Sequence, residues 1–140
     1  TIELIKKEFT NLKNLKVTVL GVSYLENVGD TRHSPSKILV EFLRKDLALV
    51  RAHDPYVEHW DELEEVTVEK DLAAVLQDAD VVVLAVGHDQ YKNIEPKELV
   101  DMCKTRPLVI DCSNFLSDST INKYKGLGCK VRGVGKGHIV

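Results

Sequence analysis

Apolar residues along the chain fall into two rhythms, short unbroken runs and stripes three or four residues apart, so strands are expected to alternate with helices. Ile2, Ile5, Phe9 and Leu12 recur at helical spacing. Residues 16–21 form a β-branched run ended by glycine, the pattern of a buried strand. After a long loop, Ser34-Pro35 supplies an N-cap and a proline at the first helical position, and Ile38, Leu39, Phe42 and Leu43 form the stripe of the helix they open. Residues 48–53 read as a second strand stopped by Asp54-Pro55, and residues 66–68 as a short third strand behind an acidic surface stretch. Asp71 caps a helix carrying Leu72, Val75 and Leu76. Residues 80–86 are the most apolar strand. Pro96 starts a helix with Leu99, Val100 and Cys103 on one face. A strand at 108–111, a helix at 117–124 and a strand at 129–134 complete the chain.

This alternation predicts an α/β fold, a Rossmann-like doubly wound parallel sheet with helices on both faces, in a single domain. The length of 140 residues suits one domain. There is no internal repeat and no low-complexity segment. The chain opens at Thr1 directly in a helical pattern with no cap before it, from which an upstream region is expected.

Composition narrows the function classes. With 29% charged residues and a net charge of −3, no stretch concentrates basic residues into a nucleic-acid-binding stripe. Lys6, Lys7, Lys13 and Lys16 alternate with apolar residues, as on a solvated helix face. No apolar run approaches the roughly 20 residues that span a bilayer, and no signal-peptide pattern is present, so a cytoplasmic protein is expected. Cys103, Cys112 and Cys129 fit neither a disulfide framework nor a zinc site and read as buried, inert thiols.

In a sheet of this kind ligands gather beyond the carboxyl ends of the strands, where strand order reverses. The first such loop runs from Gly21 to Pro35. A dinucleotide fingerprint needs three glycines, but Ser23 takes the second position and no glycine stands where the helix begins, so a standard NAD site is not expected. Asp30 and Arg32 stand in its place. The planar fork of Arg32 suits phosphate oxygens, assisted by the helix N-terminus at Ser34-Pro35. In the other reading, Asp30 and Arg32 only brace the loop.

The segments Leu20-Gly-Val-Ser-Tyr24 and Asp30-Thr-Arg32-His-Ser-Pro35 resemble the C-terminal domain of the UDP-glucose/GDP-mannose dehydrogenase family. The resemblance continues through Arg51-Ala-His-Asp-Pro55, residues 79–84 with His88 and Tyr91, and Val109-Ile-Asp-Cys-Ser-Asn114. It ends at Gly133-Val-Gly-Lys-Gly-His138, which is most similar to the branch acting on UDP-N-acetylhexosamines such as UDP-N-acetylmannosamine. It implies part of an NAD-dependent enzyme that oxidises the C6 hydroxyl of a UDP-sugar to a carboxylate for polysaccharide biosynthesis. NAD would be held mainly by an N-terminal domain outside this chain, and the full enzyme would be a homodimer. Residues 1–15 would then end a connecting helix and residues 16–140 form the UDP-binding domain. The family's catalytic cysteine lies outside the chain, so the chain alone is expected to be inactive.

The resemblance also implies site residues. Tyr24 keeps the family's aromatic residue in the first loop, but Leu25 stands where a lysine meets the UDP diphosphate. Lys136, in the Gly-Lys-Gly tail, is the expected substitute, although such a tail is also often plain linker. Ser113 replaces the family's arginine before Asn114. Arg32 matches an arginine that reaches the cofactor or the diphosphate. Asp54 is either a ribose-binding acid or an ordinary strand stop, and His88 either a site residue or a satisfied loop histidine. Two other functions remain open: a non-catalytic module serving dimer contacts or regulation, and a small independent NAD-binding domain.

Overall fold

The computed structural model describes residues 1–133. Six strands, β1 (Lys16–Leu20), β2 (Leu49–His53), β3 (Val68–Glu69), β4 (Val81–Leu84), β5 (Leu108–Asp111) and β6 (Val131–Gly133), pair in the order β3-β2-β1-β4-β5-β6. All the pairings are parallel. Strand order therefore reverses between β1 and β4, and the loops leaving these two strands flank the crevice.

Side chains alternate across each strand and divide the core into two layers. Val17, Val19, Val81, Val83 and Ile110 face one layer, covered by α1 (Ile2–Glu8), α2 (Pro35–Lys45) and the segment carrying Trp60 and Leu63. Leu20, Val82, Leu84 and Val109 face the other, covered by α3 (Leu72–Leu76), α5 (Pro96–Cys103) and α6 (Asp118–Gly126). Thr18 faces this second layer without cost in unpaired polar groups, because its hydroxyl donates to the Val75 carbonyl at 2.6 Å. Ser34 and Asp71 cap α2 and α3 as expected, and Ser117 caps α6.

Several boundaries differ from those the pattern suggests. The first helix ends at Glu8, with Phe9 already extended, because the Asn11 side chain accepts from the Lys13 amide and offers the backbone a turn instead of another helical bond. The third strand is shifted to Val68–Glu69. Val66 belongs to the turn before it, where its amide donates to the Leu63 carbonyl. β4 ends at Leu84, since the amides of Ala85 and Val86 both turn back onto the Leu20 carbonyl. A 3-10 turn at Asp61–Leu63 and the short helix α4 (Asp89–Lys92) have no periodic signature and were not expected.

The first helix is part of the core. Ile5 is fully buried, and Glu8 pairs with Lys130 and Arg132 beside β6, while the Thr1 hydroxyl meets the Cys112 thiol beyond β5. Cys103 and Cys129 are buried and Cys112 partly so. Burial pushes all three thiols up, Cys103 to about 12, which fits inert side chains.

Candidate functional site

Three loops meet at the crevice, and a buried carboxylate ties them together. Asp54, immediately after β2, accepts the amides of Val22 and Ser23 on Oδ2 at 2.9 and 3.2 Å and the amide of Tyr56 on Oδ1 at 2.8 Å. His88, after β4, places Nε2 at 2.9 Å from the same Oδ2. The other imidazole nitrogen, Nδ1, accepts the Asn27 amide at 2.8 Å. A ring nitrogen that accepts from a backbone N–H carries no proton, so the ring proton sits on Nε2 and points to Asp54. Asp54, His88 and Ser23 are fully buried or nearly so.

Ser23, His88 and Asp54 share the residue types of a nucleophilic triad but not its geometry. In such a triad the serine and the carboxylate occupy opposite nitrogens of the imidazole. Here both lie on Nε2, with Ser23 Oγ at 3.2 Å, and the serine hydroxyl donates to the Leu25 carbonyl at 2.9 Å. His88 has no free nitrogen with which to take the serine proton. The group anchors the loop and has no means of activating a nucleophile.

The loop itself is closed at its neck, where the Tyr24 amide donates to the Asp30 carbonyl at 2.6 Å. Between these points Tyr24, Leu25 and Val28 are exposed by 53, 57 and 41%, and Tyr56 from the next loop by 47%. A cluster of exposed apolar side chains at the switch point is the kind of surface that a ligand or partner covers. Arg32 is exposed and grips Asp30 through Nε at 3.0 Å and Nη2 at 2.8 Å, and its own amide donates to the same carboxylate. This guanidinium holds the Asp30 carboxyl at about 2. The loop-bracing contact is thus formed, and because it lies in water its contribution to stability is small. Arg32 also lines a depression of about 740 Å3 at the amino end of α2, together with His33, Lys37, Glu41 and Glu62.

Tyr24, Leu25 and Arg32 accordingly share one loop at the carboxyl edge of the sheet. Lys136 lies outside the described residues. The strand-stop reading of Asp54 agrees with its contacts, since both its oxygens are occupied by groups of the chain. Asn27 is the residue that sequence reasoning missed. Its φ of 57° is left-handed, a conformation Asn tolerates better than most, and this was the one available signal. Among the described residues no group of three metal-ligating side chains occurs, and no helix is long and apolar enough to cross a membrane.

A family model described as the UDP binding domain of the UDP-glucose/GDP-mannose dehydrogenase family matches residues 18–118. The chain belongs to this family. Among its relatives, the UDP-N-acetyl-D-mannosamine dehydrogenase of Methanococcus vannielii is 31% identical over 129 residues, covering 91% of this chain and 28% of the relative. The solved UDP-N-acetyl-D-mannosamine dehydrogenase of Pyrococcus horikoshii is 27% identical with a TM-score of 0.75, over 97% of this chain and 29% of that one. An NDP-N-acetyl-D-galactosaminuronic acid dehydrogenase from Methanosarcina mazei Go1 shares the fold with a TM-score of 0.83 at 24% identity, over 96% of this chain and 27% of that one. The chain spans less than a third of the length of the curated relatives it matches.

The dehydrogenases of this family imply NAD, and the crevice of this domain does not suit it. Ser23 stands where the dinucleotide fingerprint needs its second glycine, and Asp54, at the position of a ribose-binding acid, is closed off by three amides and His88.

Burial lowers the affinity of His53 for a proton; its Nδ1 lies 2.8 Å from the Tyr91 hydroxyl, which donates onward to the His53 carbonyl at 2.9 Å. The folded state therefore binds fewer protons at this site than the unfolded chain, whose value is near 6.5. The stabilisation is complete above about pH 6.5 and falls as pH drops toward the lower folded value. Urea midpoints should decrease between about pH 7.5 and 5.5, and His53→Asn should flatten that slope. An undiminished slope in His53→Asn would assign the dependence to other groups.

Proposed function

We propose that this chain is the nucleotide-sugar-binding domain of an NAD-dependent UDP-sugar 6-dehydrogenase of the UDP-N-acetylhexosamine branch. The carrying observation is the exposed apolar cluster of Tyr24, Leu25, Val28 and Tyr56 on anchored loops at the switch point, within a domain matched by a UDP-binding family. In this reading the loop holds the nucleotide while groups outside the chain hold the sugar and NAD. Its contribution is orientation, which converts binding energy into a lower barrier.

Arg32 is assigned to the diphosphate or to the cofactor of the assembled enzyme, reached by exchanging its exposed partner Asp30 for the ligand. Lys136 is assigned the charge that Leu25 does not supply. Residues 1–15, in which only Ile2–Glu8 is helical and Ile5 packs into the core, are taken as the end of a connecting region, and residues 16–140 as the binding domain. The assembled enzyme is taken as a cytoplasmic homodimer acting in polysaccharide biosynthesis, and the chain alone as inactive.

The site is tested by titrating UDP into the isotopically labelled protein and following backbone amides. The reading predicts that the amides of residues 23–32, with those of Tyr56 and His88, shift first. A second depression, of about 870 Å3, lies at the opposite end of the sheet beside Lys13, Leu49 and Ala74. Shifts confined to that end would relocate the site.

A further inference from the structure

We infer that His88 and Asn27 form a staple across the crevice, and that this staple positions the ligand-facing loop in advance of binding. The inference rests on the UDP-binding reading for its ligand. Asn27 sits between the exposed pair Tyr24–Leu25 and the exposed Val28 and is held from two sides. Its amide donates to His88 Nδ1 at 2.8 Å, and its side-chain oxygen accepts the Asp89 amide at 3.0 Å. A third link, Lys92 Nζ to Glu26 Oε2 at 3.0 Å, runs beside them.

The imidazole that receives the loop is itself immobilised. Nε2 is held by Asp54 at 2.9 Å, and the ring packs against Tyr56 and Tyr91 at centroid distances of 4.9 and 5.5 Å. One buried side chain thereby links the segments that follow β1, β2 and β4. A loop that keeps apolar side chains in water while its middle residue is pinned twice is ordered before ligand arrives, which removes part of the ordering cost of binding. Imidazole suits the task because it accepts on one nitrogen and donates on the other. His88 touches neither ligand nor reacting atoms in this arrangement; it is a positioning residue.

The two nitrogens can be separated by substitution. In His88→Asn the side-chain oxygen stands near Nδ1 and can still accept the Asn27 amide. In His88→Gln the amide nitrogen stands near Nε2 and can still donate to Asp54, but the loop loses its acceptor. The 140-residue protein is assayed for hydrogen exchange at the Asn27 amide, for UDP affinity and for Tm. Both variants should lose Tm comparably. His88→Gln should exchange Asn27 at least about tenfold faster and bind UDP about tenfold more weakly, while His88→Asn stays within about threefold of wild type on both. Equal behaviour of the two variants, or wild-type exchange at Asn27 in His88→Gln, overturns the staple.

If either variant fails to fold, Asn27→Ala tests the exposed side. It should speed exchange at the Asp89 amide and weaken UDP, and no change in either overturns the inference. If the wild-type protein does not bind UDP, the functional reading fails, while the exchange measurements still decide whether His88 pins the loop.

Discussion

Asp54→Ala is expected to destabilise the fold by about 3–5 kcal/mol. The substitution leaves the amides of Val22, Ser23 and Tyr56 and the Nε2–H of His88 without their acceptor. Each orphaned buried donor costs roughly 1–3 kcal/mol, and water reaching the Tyr56 side reduces the sum. For a chain of this size the loss corresponds to a Tm lower by about 10–20 °C. Asp30→Ala removes a carboxylate of the same chemistry from the same loop, but one whose partner Arg32 lies in solvent, and should scarcely move Tm. Equal, small shifts for the two variants would mean that Asp54 is not the anchor described above.

The second large effect is expected at Gly21. Its φ is +102°, a conformation L side chains rarely adopt, and it lets the end of β1 pass directly against the turn after β4. A Cβ there would stand 2.6 Å from Val86 Cβ and 2.9 Å from Val86 N. Gly21→Ala should therefore cost about 3 kcal/mol or more through backbone strain and overpacking together. Since the obstruction includes the Val86 backbone, adding Val86→Ala should recover little, and chemical denaturation of the single and double variants checks both statements. Full rescue by Val86→Ala would confine the problem to the Val86 methyl groups.

Much of the fold was legible because it rests on local pattern. The valines of β4 and the alternating Val17 and Val19 announce buried parallel strands, and Ser34-Pro35 announces α2 through cap chemistry that acts within one turn. What escaped the sequence depends on partners distant along the chain. Asp54-Pro55 looks like a strand stop, and the same carboxylate is also the anchor for amides more than thirty residues earlier. The 3-10 turn and α4 are single turns held by their surroundings, with no periodicity to reveal them. The resemblance located the loop that carries Tyr24, Leu25 and Arg32. It could not reveal that Asn27, between them, is bonded to His88 and Asp89 across the crevice, because those partners are distant along the chain.

Calorimetric titration of the protein with UDP, with NAD titrated in parallel, decides whether this domain holds the nucleotide. The expected result is a dissociation constant for UDP below about 1 mM, weakened at least several-fold by Arg32→Ala, and no measurable heat with NAD. NAD binding without UDP binding would contradict it, and binding of neither would favour a module kept for contacts or regulation.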